Sequence, residues 1–405
     1  MFKILFVNLS TFRIYDTPEK RPILEPLWAE CLDSIVNKYF ETKIIDTNYQ
    51  YNLGEILESY KPNFVLISIT TPLVKEAKEV ISLIRNLSPN SKIIIGGPHV
   101  SALKGKGLDF DFAVIGEGEE AIMSILRKET KEKIIIGNLI KDLDSLPYPT
   151  RIDRSNYYLD YIDQKNKSQV LASIISSRSC PWNCIYCASK TTFGKKLRLR
   201  SPKNILDELE YLKEKHNVNS LIFLDDCFTA LPKRVEELCN GMIDRKLNMK
   251  WWIDTRCDRI NKELLELMKN AGCSFIVFGV ESGSESVLKR IKKDISLTTI
   301  RNAFKIAHEV GINTKCNIMI GHIDETEEEI LQSIQLTKDL GSTKSSFYKV
   351  IPLPGSELYD ICINRGLISE DMDFSNFAWY KTPPNICKVS SKRLDELQKY
   401  AYQIK

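Results

Sequence analysis

Three cysteines lie close together near the middle of the chain, at Cys180, Cys184 and Cys187. Thiolates are the ligands that hold iron–sulfur clusters, and a loop this short can turn three of them toward one point. Three ligands would leave one iron of a [4Fe–4S] cluster open to another molecule, unlike the four-cysteine sites of electron-transfer proteins. The spacing therefore predicts a cluster that takes part in chemistry.

Two other interpretations of these cysteines are weaker. A structural zinc site needs four ligands, and the nearest downstream histidine is His216, so zinc would require a distant fourth ligand. Three unliganded thiols on a polar loop would have little reason to be there. The other eight of the eleven cysteines occur singly, and we interpret them as small, mostly buried hydrophobic residues.

Composition argues against several classes of protein. The 57 basic and 53 acidic residues nearly cancel to a net charge of +4, which leaves no electrostatic footprint for nucleic acid. No run approaches the roughly 20 apolar residues of a membrane span, and the apolar run at the N-terminus is too short for a signal peptide. Without a secretory signal, a disulfide framework is not expected. We expect a cytoplasmic monomer with neither a nucleic-acid nor a membrane partner.

Short apolar runs alternate with helical patterns over the first third of the chain, which predicts a parallel sheet covered on both faces. We assign residues 1–138 to a Rossmann-like, doubly wound domain. Its predicted strands are Ile4–Val7, Lys43–Ile45, Phe64–Ile69, Ile93–Ile95 and Phe112–Ile115.

A Pro- and Tyr-containing segment, residues 139–170, is predicted to link this domain to a second one. Residues 171–362 repeat the strand–helix alternation six times, which predicts an α/β fold with a partial (β/α)6 barrel whose chemistry lies at the C-terminal strand ends. The predicted strands are Ala172–Ser177, Ser220–Leu224, Trp251–Asp254, Phe275–Val280, Lys315–Ile320 and Ser345–Ile351. Residues 363–405 form a short C-terminal tail whose last twenty residues look helical. The aromatic part of this tail, Phe374–Tyr380, is interpreted as core or as a wall of the substrate cavity.

The order Cys-x-x-x-Cys-x-aromatic-Cys, with Tyr186 as the aromatic residue, resembles the signature of the radical S-adenosylmethionine superfamily. The resemblance implies that the open iron chelates S-adenosylmethionine. One electron then breaks a carbon–sulfur bond, and a 5′-deoxyadenosyl radical abstracts hydrogen from a substrate. It also implies an electron donor such as flavodoxin or ferredoxin. Tyr186 is expected to pack beside the cluster.

The same resemblance implies a set of S-adenosylmethionine contacts at successive strand ends. A pair of adjacent acids would accept hydrogen bonds from the ammonium group of S-adenosylmethionine. The alternative is that the two acids only lie in a solvent-exposed turn. An arginine would face the cofactor carboxylate or the cluster, with a surface ion pair as its alternative. Later strand ends would bond the ribose, contact the adenine and close the site. In chain order the residues are Asp225, Asp226, Arg256, Glu281, Ser282, Ile320, Gly321 and Pro352.

The first domain resembles the cobalamin-binding domain that precedes this barrel in the cobalamin-dependent branch of the superfamily. The resemblance implies cobalamin contacts at Ser68, Thr70, Thr71, Gly96, Gly97, His99, Gly116, Glu117, Gly118 and Glu119. The motifs G-x-G-x-x-G and D-x-H-x-x-G are both absent, so a nicotinamide cofactor is not expected and the lower axial ligand of cobalt stays unassigned. His99 would lie near the nucleotide loop. A degenerate domain that only supports the barrel is the alternative.

These resemblances imply methylation of an unactivated carbon on a peptide or a small natural-product intermediate. The substrate would lie between cobalamin and S-adenosylmethionine. One alternative is a cobalamin-dependent cyclisation or rearrangement that transfers no methyl group. A second alternative, from another class, is a non-catalytic iron–sulfur or cobalamin-binding sensor.

Overall fold

The computed structural model describes residues 2–11, 24–49, 52–152, 170–378 and 381–403. Two six-stranded parallel sheets follow each other along the chain. The predicted α/β fold class, with a doubly wound sheet before a partial barrel, is confirmed. The boundaries predicted at 138, 170 and 362 stay predictions, because strand ends by themselves do not delimit folding units.

The first sheet has the strand order β2-β1-β3-β4-β5-β6. Alternate residues of its central strands pack into two separate cores, because helices cover both faces. Leu5 and Val7 belong to one core and Ile4 and Phe6 to the other. The strands are β1 (Lys3–Asn8), β2 (Glu41–Asp46), β3 (Phe64–Ser68), β4 (Lys92–Gly96), β5 (Phe112–Ile115) and β6 (Ile134–Ile136). The helices are α1 (Leu27–Val36), α2 (Leu53–Tyr60), α3 (Val74–Leu87), α4 (Pro98–Leu103) and α5 (Glu119–Leu126). β6, a short strand at the edge of the sheet, was not predicted from the sequence.

The second sheet begins with β7 (Leu171–Ile174), and a small antiparallel ribbon interrupts the chain before the next strand. The ribbon consists of β8 (Ser177–Arg178) and β9 (Arg198–Leu199), with the short helix α6 (Lys190–Phe193) between them. The chain then enters α7 (Pro202–His216). The helix is capped by the sequence itself, because Ser201 accepts a hydrogen bond from the Asn204 amide and Pro202 occupies the first helical position.

The remaining elements complete an open barrel with the strand order β14-β13-β12-β11-β10-β7. In the described part of the chain, no strand closes the ring between β14 and β7. The strands are β10 (Ser220–Phe223), β11 (Lys250–Thr255), β12 (Cys273–Glu281), β13 (Asn313–Ile320) and β14 (Lys344–Lys349). The helices are α8 (Pro232–Asp244), α9 (Lys262–Asn270), α10 (Glu285–Arg290), α11 (Leu297–Val310), α12 (Glu327–Leu340) and α13 (Glu357–Asn364).

A buried arginine connects the two sheets. Arg151 donates to the Ser173 carbonyl at 3.1 Å, and its guanidinium lies 3.5 Å from the Glu30 carboxylate of α1. It also pairs with Glu208 of α7. Because buried charges are tolerated only when they are paired, this network fixes α1 of the first domain against the start of the barrel. Residues 153–169 of the predicted linker lie outside the described residues.

The tail reaches back to the first domain. The ring of Phe374 packs edge-on against His99 at a centroid distance of 5.2 Å, and Lys106 pairs with Asp371 at 2.9 Å. The last helix, α14 (Ser391–Gln403), matches the helical end expected from the sequence. Phe374 is therefore a packing residue, whereas Trp379 and Tyr380 of the predicted aromatic segment lie outside the described residues. Over the described ranges, no helix combines the length and the apolar character that a bilayer crossing requires.

Candidate active site

The cysteine loop follows β8 and is held at its middle from two sides. The Ile185 amide donates to the Ile291 carbonyl at 3.1 Å, and the Ile185 carbonyl accepts from the Leu358 amide at 2.8 Å. Ser179, which has a positive φ of 75°, donates its hydroxyl to the Gly194 carbonyl at 2.7 Å. The loop thus rests on the C-terminal end of α10, on the first turn of α13 and on the turn after α6.

The three cysteines combine accessibility with an environment that opposes ionisation of the free thiols. Cys180 and Cys184 are half-buried and Cys187 is exposed. Burial raises the pKa of Cys180 to about 12 and also raises the pKa of Cys187. Because a metal deprotonates a coordinating thiol outright, metal binding would overcome this cost. No three His, Cys, Asp or Glu side chains in the described ranges are placed to share one metal ion. A cluster does not need such an arrangement, because its cysteines bind separate iron atoms.

Arg256 directly follows β11 and faces the cysteine loop. Its guanidinium lies 3.9 Å from the Cys184 sulfur and 4.6 Å from the centre of the Trp182 ring. It also pairs with Asp258 at 2.9 Å and donates to the Lys293 carbonyl at 2.8 Å. Arg256 is buried, so the surface ion pair considered from the sequence is wrong, although an ion pair exists.

Lys293, which the sequence analysis missed, lies behind the same loop. Its ammonium is 3.2 Å from the Glu281 carboxylate and 3.5 Å from the Tyr186 hydroxyl, and it is almost completely buried. Glu281 follows a bulge in β12 and has a positive φ of 71°, an uncommon backbone conformation for a residue with a side chain. Lys293 occurs in a charged run after α10, and nothing in that run distinguishes it from a surface lysine.

The two adjacent acids occupy different environments. Both carboxylate oxygens of Asp225 accept hydrogen bonds from Ser176 and Ser177, including the Ser176 amide at 2.7 Å. Asp226 is accessible, and its charge raises the pKa values of Cys180 and Cys187. Desolvation and the charge of Asp225 raise the pKa of Asp226 itself to about 6. Asp225 therefore fixes Ser176 and Ser177, just before the cysteine loop, by hydrogen bonds. Asp226 is the one of the two acids that is accessible to a ligand.

The later strand ends are brought to the same edge, but not every side chain there faces the loop. Ser282 is fully buried and its hydroxyl lies 3.1 Å from that of Ser333 on α12, so it does not accompany Glu281. Ile320 and Pro352 are buried. A Cβ added at Gly321 would lie 3.0 Å from Leu394, so α14 covers this strand end. Tail residues therefore contribute to the wall where the adenine contact was predicted.

A cavity of about 290 Å³ lies at the C-terminal edge of the first sheet. Seven of the predicted cobalamin contacts line it, namely Ser68, Gly96, Gly97, Gly116, Glu117, Gly118 and Glu119. Four lining residues come from the second domain and were not predicted, namely Ile175, Arg178, Thr192 and Phe193. The cavity is therefore enclosed by both domains.

Three predicted residues do not line this cavity. His99 is buried, and its ring lies 3.2 Å from the Thr71 hydroxyl and packs on Phe374. Burial lowers the pKa of His99 to about 4. Thr70 is exposed and lies outside the cavity wall. The structure thus gives His99 and Thr71 a packing role, and the expectation that His99 lies beside the ligand loop is not supported by its position.

Glycine is required at the cavity wall for close backbone approach. Gly97 has a φ of 94°, and an added Cβ would lie 2.6 Å from the Ser68 hydroxyl oxygen and 2.8 Å from the Ile69 amide nitrogen. At Gly116 a Cβ would lie 3.6 Å from the Thr192 carbonyl oxygen, in ordinary contact with α6 of the second domain. Gly97 therefore allows the backbone after β4 to pack closely against the end of β3. The absence of a side chain at Gly116 leaves space in the cavity wall beside α6.

Glu117 and Glu119 use their carboxylates to join the domains. Arg198 donates to Glu117 at 2.6 and 2.9 Å, and Arg178 lies 3.2 Å from Glu117 while also pairing with Glu119. Burial alone would raise the pKa of Glu117, but its bonds to Arg198 and the charge of Arg178 lower it. The basic run at residues 195–200 was the only sequence signal for such partners.

Comparisons with known proteins match both halves of this arrangement. Residues 174–337 match the radical SAM superfamily, and residues 21–126 match the B12 binding domain. An uncharacterized methyltransferase of Pyrococcus horikoshii is 28% identical, over 93% of this chain and 86% of its own. The anaerobic magnesium-protoporphyrin IX monomethyl ester cyclase of Cereibacter sphaeroides is 26% identical over 82% of this chain but only 60% of its own.

Among solved structures, the radical S-adenosylmethionine methyltransferase TsrM from Kitasatospora setae superposes with a TM-score of 0.72. The alignment covers 91% of this chain and 76% of the TsrM chain at 17% sequence identity. At that identity the similarity establishes a shared fold.

Proposed function

The chain belongs to the radical SAM superfamily, in the branch that also carries a B12 binding domain, and from this premise we propose that it methylates an unactivated carbon. It is an enzyme whose cofactors are a [4Fe–4S] cluster, S-adenosylmethionine and cobalamin. When bound, the cluster supplies the electron that cleaves S-adenosylmethionine to a 5′-deoxyadenosyl radical, and cobalamin supplies the methyl group. We propose a peptide or small natural-product intermediate as the substrate.

Cys180, Cys184 and Cys187 would hold the cluster. The three thiols fit this role because they share one loop that is fastened to two neighbouring elements. The accessible carboxylate of Asp226 would accept the ammonium of S-adenosylmethionine, since an ammonium favours charge-assisted hydrogen bonds. Arg256 would stabilise negative charge on the Cys184 side of the cluster.

The remaining predicted contacts keep more limited roles in this proposal. Glu281, oriented by Lys293, would bond the ribose hydroxyls. The backbone at Ile320 and Gly321 would line the adenine. Pro352 would belong to the segment that leads from β14 into α13, the helix that supports the cysteine loop. The cavity of about 290 Å³ is at the lower end of ligand-pocket sizes, so it would hold one part of cobalamin, such as its nucleotide tail.

One observation carries the proposal of methyl transfer: a single short helix touches both sites. α6 begins three residues after Cys187, and its Thr192 and Phe193 line the first-domain cavity. Its Thr191 hydroxyl donates to the Gly355 carbonyl at 3.3 Å, just before α13, whose first turn supports the cysteine loop. A methyl donor and a carbon radical can react only within one shared space, and this contact supports such a space.

The test is anaerobic reconstitution with iron, sulfide and hydroxocobalamin, followed by turnover with S-adenosylmethionine labelled with carbon-13 at the methyl group. Candidate substrates come from the gene neighbourhood. Methylation gives a product heavier by one labelled CH₂ unit and yields S-adenosylhomocysteine beside 5′-deoxyadenosine. A reconstituted enzyme that turns its substrate over without incorporating the label would contradict the proposal.

Cyclisation without methyl transfer is the second candidate. The similarity to the cyclase of Cereibacter sphaeroides favours it, although this chain spans only 60% of that relative. Product mass separates the two reactions, because cyclisation produces no S-adenosylhomocysteine. A sensor or binding module is the third possibility, and it would release no 5′-deoxyadenosine under reducing conditions.

We further propose that the electron comes from a small reductant protein, flavodoxin or ferredoxin, and that the enzyme works as a cytoplasmic monomer. Thiols and a cluster with an open iron need a reducing compartment. Size-exclusion chromatography with light scattering tests the monomer, and reduction of the cluster by each purified carrier tests the donor.

A further inference from the structure

The two faces of the barrel sheet bury different residues, and this identifies the side chains that face the lumen. Trp251 and Ile253 of β11 belong to the large core under the helices, whereas Trp252 belongs to a small separate cluster. That cluster consists of Leu171, Ile222, Trp252, Phe275 and Val277, with Leu24 of the first domain packed against it. It forms an apolar floor inside the barrel. Strand alternation then places Asp254 above this floor.

The same alternation places Lys315 and Asn317 of β13 in the lumen, because Cys316 and Ile318 between and after them pack under the helices. The register puts Asp254 opposite Val277 and Val277 opposite Lys315. A carboxylate and an ammonium group therefore extend from two strands at one level of the barrel, on either side of Val277 at the upper edge of the floor.

Asp254 is exposed although Ile253 and Thr255 on either side of it are buried. An accessible side chain in a central strand of the sheet means that the lumen is open at this level. Among the described residues, its carboxylate has no hydrogen-bond partner. Desolvation, together with the charge of Glu281 and against the opposing charge of Lys315, raises the pKa of Asp254 to about 6.

Lys315 is oriented by β14, where its ammonium lies 3.1 Å from the Tyr348 hydroxyl. Two further polar atoms of the lumen face are buried without a hydrogen-bond partner in the described part of the chain, Asn317 Oδ1 and Trp252 Nε1. Buried polar atoms nearly always find partners. An acceptor and a donor left open beside an unpaired carboxylate thus point to a ligand with matching groups.

We infer that the lumen binds an α-amino acid group on the substrate. Asp254 and the Asn317 carbonyl oxygen would accept from its ammonium, and Lys315 with the Tyr348 hydroxyl would donate to its carboxylate. The inference rests on the proposed function in one respect, namely that the amino acid group of S-adenosylmethionine itself is held at the cluster. The apolar floor below would exclude water from these charge pairs and thereby strengthen them.

The test is isothermal titration calorimetry of the reconstituted holoenzyme, kept oxidised and saturated with S-adenosylmethionine. The probes are the standard free L-amino acids and their N-acetyl carboxamides, which lack both charges. At least one free amino acid binds wild type, and its carboxamide form binds about tenfold more weakly or not at all. Asp254→Asn and Lys315→Met each weaken binding of the free amino acid by about tenfold or more.

Lys305→Met is the matched control, because Lys305 is an exposed lysine on α11. It leaves amino acid binding unchanged, and all three variants retain wild-type affinity for S-adenosylmethionine. The inference is overturned if no free amino acid binds the wild-type enzyme, or if Asp254→Asn and Lys315→Met bind the free amino acid as tightly as wild type does. It is also overturned if these two variants lose affinity for S-adenosylmethionine and not for the amino acid. Failure of methyl transfer with amino acid binding intact would contradict the proposed function and leave this inference standing.

Discussion

The guanidinium of Arg256 lies 3.9 Å from the sulfur of Cys184. The same guanidinium donates to the backbone carbonyl of Lys293, whose ammonium pairs with Glu281 at 3.2 Å. Two cations therefore lie behind one thiol of the cysteine loop. They are 37 positions apart in sequence, and the nearer of them, Arg256, is 72 positions from Cys184. Their charge will act on whatever the loop binds.

Replacing all three loop cysteines, Cys180→Ser, Cys184→Ser and Cys187→Ser, should abolish the cluster and the formation of 5′-deoxyadenosine. The fold should survive, because the loop is fixed by backbone bonds of Ile185. Absorbance near 400 nm, iron content and circular dichroism measure the three properties. The control is Cys387→Ser, a half-buried thiol outside the loop, which should keep its cluster. A triple variant that still turns over would remove the basis of the proposed function.

Lys293→Met should lower the reduction potential of the cluster by about 60 mV, equivalent to a tenfold change for one electron. Reduction adds negative charge, and the variant loses a buried cation while leaving Glu281 unpaired. A redox titration followed by electron paramagnetic resonance measures the shift. Lys292→Met is the neighbouring control, since Lys292 is exposed and pairs with Glu357. Equal potentials in the two variants would mean that Lys293 only supports the fold.

Arg198→Met should destabilise the protein by about 3 kcal/mol, because removing one partner leaves the buried carboxylate of Glu117 without its main donor. Chemical denaturation measures the free energy of unfolding. Arg393→Met is the comparison on the surface, where the pair with Glu327 is open to solvent and should contribute nothing measurable. If both variants are equally stable, the Glu117 pair does not hold the domains together.

Stability should fall as pH rises from about 4.5 to about 8 because of Glu325. Burial raises the pKa of Glu325 to about 8, so the folded state favours the protonated carboxyl. Its stabilisation is complete below the ordinary pKa of 4.5 and is lost between there and 8. Glu325→Gln retains an oxygen for the amides of Gly321 and His322 and should flatten this decline. Thermal unfolding from pH 5 to 9 compares the two proteins, and parallel curves would contradict the assignment.

Gly97→Ala should destabilise the first domain by about 2 kcal/mol or more, because the new Cβ meets the backbone of Ile69 as well as adopting a positive φ. Gly107→Ala separates the two effects. Gly107 also has a positive φ, of 75°, but nothing lies within 4 Å of its added Cβ. It should cost only about 1 kcal/mol. Similar losses in both variants would show that close approach at Gly97 has no energetic weight.

Local patterns were sufficient for the longer strands of both sheets and for the cysteine loop, but not for β6 or for the ribbon of β8 and β9. Apolar runs and helical spacing depend on neighbouring residues, so the two parallel sheets, the N-cap at Ser201 and the C-terminal helix could be predicted directly. The glycines at 96, 97, 116 and 118 follow strand ends, where a doubly wound sheet opens. The structure places all four in the cavity wall.

The tertiary structure decided which of the candidate side chains face a ligand. Asp225 and Asp226 are neighbours in sequence, yet Asp225 is hydrogen-bonded to Ser176 whereas Asp226 is exposed. Glu281 and Ser282 separate in the same way. Lys293, Arg178 and Arg198 could not be recognised, because their partners lie on other elements. The direction of a side chain and the identity of its partners depend on contacts between residues that are distant in sequence. The spacing of residues along the chain does not determine those contacts.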